Sequence, residues 1–88
     1  MDIENKEVVV LGGAGFIGST LVDELLTTNV KKITVFDNFT RGSTENLENS
    51  MNDSRVDVVD GDIKDIPALN DAIKGKDIVF HFAALWLL

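Results

Sequence analysis

Three glycines, Gly12, Gly15 and Gly18, recur at three-residue intervals in the stretch VVVLGGAGFIGST, with a further glycine at Gly13. They follow an apolar run and precede a segment of helical periodicity. A glycine leaving a strand permits a tight turn, a second lets backbone approach a ligand without a Cβ between, and a third lets the helix pack close to the sheet. The free amides of such a helix start, around Phe16 and Ile17, and its positive dipole end suit a phosphate or pyrophosphate. Nineteen residues past Gly18 stands Asp37, at the end of KITVFD. A carboxylate about 20 residues past the last glycine is the position that accepts from the ribose hydroxyls of a dinucleotide. It also repels a 2′-phosphate, which favours NAD over NADP. Arg41, four residues on, argues the other way, because a guanidinium could hold that phosphate.

These groups need a scaffold, and the pattern supplies one. EVVVLG is a continuous apolar run, as for a parallel strand covered on both faces. Ile17, Leu21 and Leu25, with Val22 and Leu26 beside them, form the buried face of a helix that ends near TTN, where Asn29 can adopt the left-handed conformation. KITVFD is a second strand and NFTRG a loop. Ser43 or Thr44 caps a second helix running through about Met51, with Glu45 and Glu48 favourable near its start. RVDVVDGD is a third strand. Asp65 caps a third helix, with Pro67 in its first turn, Leu69 and Ile73 facing inward and Gly75 ending it. DIVFHFAAL is a fourth strand. Alternating β and α segments with right-handed crossovers predict an α/β fold: a partial Rossmann, doubly wound parallel sheet of four strands in order 3-2-1-4 with three helices.

Composition narrows the functional classes. The 88 residues form one small domain with an ordinary apolar fraction of 44%. A net charge of −7 disfavours nucleic acid, since no basic excess is present to release counterions. There is no cysteine, which excludes disulfides and thiolate chemistry, and a single histidine makes a transition-metal site an unpromising expectation. No apolar run reaches the length of a membrane span, and MDIENKE lacks the basic and apolar regions of a signal peptide, so the expected compartment is the cytoplasm.

Four segments in order, GGAGFIGS, FDN, GDIKD and HFAAL, resemble the extended short-chain dehydrogenase/reductase family, and within it the nucleotide-sugar epimerases and dehydratases. They span Gly12 to Leu85, nearly the whole chain; Leu11 departs from the threonine usual before the glycines. The resemblance implies NAD as cofactor and assigns roles by position. Asp37, Asn38 and Phe39 would sit at the adenosine ribose. Asp62 and Ile63 would border the adenine, with the Asp62 carboxylate accepting from its exocyclic amine. Phe82, Ala83 and Ala84 would pass beside the pyrophosphate and nicotinamide ribose. On composition alone Asp62 reads as a turn residue in DGD. His81 reads as a packed or hydrogen-bonded structural histidine, and Trp86 as a core residue.

The same resemblance limits the activity. In this family a Tyr-x-x-x-Lys pair exchanges the proton with a sugar hydroxyl while hydride moves to nicotinamide. The sequence contains no tyrosine, so no catalytic residue is assigned and the chain alone is expected to be inactive. Residues 1–88 are expected to be the NAD-binding N-terminal segment of a longer epimerase or dehydratase, with the catalytic and nucleotide-sugar-binding parts absent. Two alternatives stand beside this: a stand-alone dinucleotide-binding module, and a fragment that self-associates through the apolar fourth strand.

Overall fold

The computed structural model describes residues 3–12, 16–38, 47–48 and 50–81. Four parallel strands, β1 (Glu7–Leu11), β2 (Lys32–Asp37), β3 (Val56–Asp60) and β4 (Ile78–His81), form one sheet in the order β3-β2-β1-β4. The expected strand order is therefore the observed one. Helix α1 (Phe16–Leu26) joins β1 to β2, and α2 (Ile66–Ile73) joins β3 to β4. Between β2 and β3 a 3₁₀ turn spans Ser50–Asn52.

The central strands are buried on both faces, which is why their sequences run apolar rather than alternating. On one face Val8, Val10, Ile33 and Val35 pack with Val22 and Leu25 of α1 and with Leu47. On the other, Val9, Leu11 and Phe36 pack with Ala72 of α2, flanked by Ala68, Leu69 and Ile73. The outer strands β3 and β4 alternate between half-buried and exposed residues, as sheet edges do.

Helix α2 carries the expected signals. The Asp65 carboxylate accepts from the Ala68 N–H at 3.3 Å, Pro67 lies in the first turn, and Gly75 takes a φ of +73° just past the last turn. At the start of β4 the Asp77 carboxylate accepts from the Glu7 N–H at 2.8 Å while its own N–H donates to the Glu7 carbonyl. This reciprocal pair sets the register of β4 against β1.

Three expectations need correction. Asn29 is not left-handed; among non-glycine residues described, Asn5 has the positive φ, 59°. The end of α1 is closed instead by the hydroxyls of Thr27 and Thr28, which donate to the carbonyls of Glu24 and Leu25. Arg55 completes it, donating to the carbonyls of Leu26 and Thr28 at 2.8 and 2.9 Å. A guanidinium on the last carbonyls of a helix also meets the negative end of its dipole. Asp53 holds that guanidinium through paired contacts of 3.0 and 2.8 Å, and the hydrogen bonds from Arg55 hold the Asp53 carboxyl down at about 2.

Ile17 is the second correction. It stands at the open end of α1 and is 65% exposed, so the buried face of that helix begins at Gly18 and continues through Val22 and Leu25. The third concerns the second helix of the three expected. Residues 43–46 and 49 of it lie outside the described residues, and its end at Ser50 and Met51 is 3₁₀ rather than α. Ser50 is buried there because its hydroxyl donates to the Asp23 carboxylate of α1 at 2.5 Å, tying the turn to the helix.

Candidate dinucleotide site

Because all four strands are parallel, their carboxyl ends share one edge of the sheet. The order β3-β2-β1-β4 reverses direction at β1, whose two neighbours lead away to opposite sides. Such a reversal point, outside the carboxyl end of β1, is the position where open α/β sheets bind ligands in a crevice.

Gly12 lies at that point. Its N–H donates to the Phe36 carbonyl at 2.8 Å, extending the β1–β2 ladder by one bond, and its φ is +85°. The chain leaves the strand there through a conformation that an L-side chain strains to adopt. Four residues later α1 begins. The first amides of a helix have no carbonyl partner within it, so those of Phe16, Ile17 and Gly18 belong to the turn that can meet an anion. Gly18 is buried, which fits the close helix–sheet approach expected of it. Gly15 lies outside the described residues.

Asp37 closes β2 and is 9% exposed. Its carbonyl accepts from the Gly61 N–H at 3.0 Å, which brings the end of β3 and the following loop alongside. Asn38, the next residue, is exposed. Asp62 and Ile63 are half-buried in that loop. Asp62 is a turn residue in the structure, with Oδ1 accepting from the Lys64 N–H at 2.9 Å and its carbonyl accepting from the Asp65 N–H. One oxygen thus holds the turn while Oδ2 is uncommitted among the described residues. Ile63 packs on the Phe36 side of the core and anchors the loop. Phe39, Arg41, Phe82, Ala83, Ala84 and Trp86 lie outside the described residues.

His81 is exposed, not packed. It ends β4 in register with Leu11, on the α2 side of the sheet, where α2 covers Val9, Leu11 and Phe36 but leaves Val79 and His81 of the outer strand open.

Two neighbours of Phe36 and Asp37 escaped the sequence reading. Gly61 sits directly beneath the Phe36 ring: a Cβ placed there would lie 2.5 Å from the ring atoms Cε2 and Cζ. Asp60 is the register partner of Asp37. The only sequence signal for either was the DGD triplet, which reads equally well as an ordinary turn. Among the described residues no group of three or more His, Cys, Asp or Glu could hold a metal ion, and no helix is long and apolar enough to cross a membrane.

Residues 9–88 match the 3-beta hydroxysteroid dehydrogenase/isomerase family. The chain superposes with a TM-score of 0.80 on the UDP-N-acetylglucosamine 4-epimerase of Methanobrevibacter ruminantium, solved in complex with UDP-N-acetylmuramic acid. The two are 45% identical over 93% of this chain and 25% of that one. It superposes with a TM-score of 0.85 on DesIV, the dTDP-glucose 4,6-dehydratase of Streptomyces venezuelae, solved with NAD and TYD bound. There the identity is 37% over 91% of this chain and 27% of that one. It is also 38% identical, over 93% of its length and 24% of the relative's, to an uncharacterized membrane protein of Methanocaldococcus jannaschii. In each case the chain spans about a quarter of the relative's length. The chain belongs to the 3-beta hydroxysteroid dehydrogenase/isomerase family, and its likeness is to the N-terminal part of the nucleotide-sugar epimerases and dehydratases.

Proposed function

We infer that residues 1–88 are the NAD-holding N-terminal portion of an NAD-dependent nucleotide-sugar epimerase or dehydratase. The observation that carries this is the placement of Gly12, at φ +85°, outside the central strand and opening onto α1, with Asp37 ending the adjacent strand. The residues present fit the cofactor. The turn and the first amides of α1 would receive the pyrophosphate, Asp37 with Asn38 and Phe39 the adenosine ribose, and Asp62 with Ile63 the adenine edge. Phe82, Ala83 and Ala84 would lie toward the nicotinamide ribose. NAD bound in a structural relative 37% identical to this chain supports that assignment.

When bound, NAD supplies the hydride acceptor for a sugar carbon in the parent enzyme. These residues bind and orient; with no tyrosine in the 88, the residue that moves the substrate proton belongs to another part of the parent. The nucleotide sugar is a partner of that longer protein, and the proposed setting is the cytoplasm. Titration of the chain with NAD, with Asp37→Ala as control, tests the reading. Saturable binding that weakens at least tenfold in the variant is expected, in keeping with the loss of hydrogen bonds to a charged acceptor.

A second reading, self-association, rests on β4. Its outer edge has no partner strand among the described residues, and Val79 on it is 44% exposed. Unpaired apolar edges template pairing with another chain. Light scattering is expected to give a mass above that of one chain, falling toward the monomer in Val79→Lys; a strict monomer at high concentration overturns this reading.

A further inference from the structure

The end of β3 places a second carboxylate beside the one assigned to the ribose. Asp60 and Asp37 are register partners in the parallel β3–β2 pair. Adjacent strands lie about 4.8 Å apart, and register partners direct their side chains to the same face. The Gly61 N–H bond to the Asp37 carbonyl, 3.0 Å, fastens the two strand ends together. The environments of the two acids differ: Asp37 is 9% exposed, whereas Asp60 is open to solvent. The Asp60 carboxylate forms no ion pair or hydrogen bond among the described residues, so no cation there neutralises it.

We propose that Asp60 is a second specificity determinant of the dinucleotide site, rejecting a 2′-phosphorylated cofactor by charge while leaving the 2′-hydroxyl form unaffected. The proposal rests on the dinucleotide reading above. A 2′-phosphate brings close to two negative charges next to the ribose carboxylate, and an unneutralised acid one strand away adds to the repulsion. A 2′-hydroxyl carries no net charge, so that field acts on it far more weakly. Asp37 and Asp60 therefore differ in kind. Removing Asp37 costs hydrogen bonds to the ribose itself, whereas altering Asp60 changes discrimination and not the affinity for NAD.

The experiment titrates the chain and its Asp60→Asn and Asp60→Lys variants with NAD and with NADP, at low salt and at 0.5 M salt. Asp60 is exposed at a strand end, so both variants keep the fold, which circular dichroism checks. NAD affinity is expected to stay within about twofold, while NADP affinity rises about threefold in Asp60→Asn and about tenfold in Asp60→Lys. The gain is expected to shrink at high salt, where the Debye length drops to a few ångströms (~3 Å at 1 M). An unchanged NADP-to-NAD ratio in Asp60→Lys, with NAD still bound, overturns the proposal and leaves the dinucleotide reading standing. Failure of the unaltered chain to bind either cofactor overturns both.

Discussion

Replacing Gly61 by alanine is expected to destabilise the chain by ~1–3 kcal/mol, the usual cost of forcing an extra methyl into a packed core. The added Cβ would meet Cε2 and Cζ of Phe36 at 2.5 Å, well inside van der Waals contact. A ring on the surface would swing aside, but Phe36 is fully buried among Val9, Leu11 and Ala72. Either the ring leaves its place in the core or the loop bearing Asp62 and Ile63 lifts off the sheet. Both outcomes disturb the loop proposed to border the adenine. Urea denaturation of Gly61→Ala, Phe36→Leu and the double variant separates this clash from a general glycine effect. Leucine lacks the two offending ring atoms, so the double variant is expected to be more stable than the two single losses summed, by ~1 kcal/mol or more. Simple additivity would show that the ring and the glycine are not coupled.

Replacing Gly12 by valine is expected to cost ~1–3 kcal/mol in backbone strain and to abolish measurable NAD binding. At φ +85° a β-branched residue clashes with its own backbone, and the chain can relieve that only by leaving the strand along another path. The relaxed path breaks the Gly12 N–H bond to Phe36 and turns the start of α1 away from the crevice. Stability and affinity are thus expected to fall together. D-Alanine introduced by chemical ligation, which favours positive φ, is expected to restore the stability that valine loses. Retained stability and retained NAD affinity in Gly12→Val would contradict a strained turn at the centre of the site.

The strands were the legible part of this fold. Covered on both faces, β1 and β2 are written as unbroken apolar runs, and the span of β2 coincides with KITVFD. The caps of α2 were equally plain, because Asp65, Pro67 and Gly75 act locally, within a turn of where they stand. The end of α1 was not, because its closure is long-range. Arg55 reaches the carbonyls of Leu26 and Thr28 from a strand away, and only the short Asp53-x-Arg55 spacing hinted at a fixed guanidinium. Ile17 was misplaced for a related reason. Helical periodicity counts it into the apolar face, but the first turn of a helix stands clear of the core it later enters.

The positions of Gly12 and Asp37 just past β1 and at the end of β2 could be read from spacing because the motif is a local strand-turn-helix device with a fixed distance to the next strand end. Asp60 and Gly61 could not, because their meaning depends on the β2–β3 register. Shifted by one residue, that register would put Asp60 on the opposite face and Gly61 against a different neighbour.

Calorimetric titration with NAD, with NADP in parallel and Asp37→Ala as control, decides whether this chain holds NAD through the Gly12 turn and the Asp37 carboxylate, as proposed. Saturable binding of NAD, weaker binding of NADP and at least a tenfold loss in the variant are the expected results. Absence of NAD binding, or equal binding with and without the Asp37 carboxylate, would contradict a dinucleotide site built on these two residues.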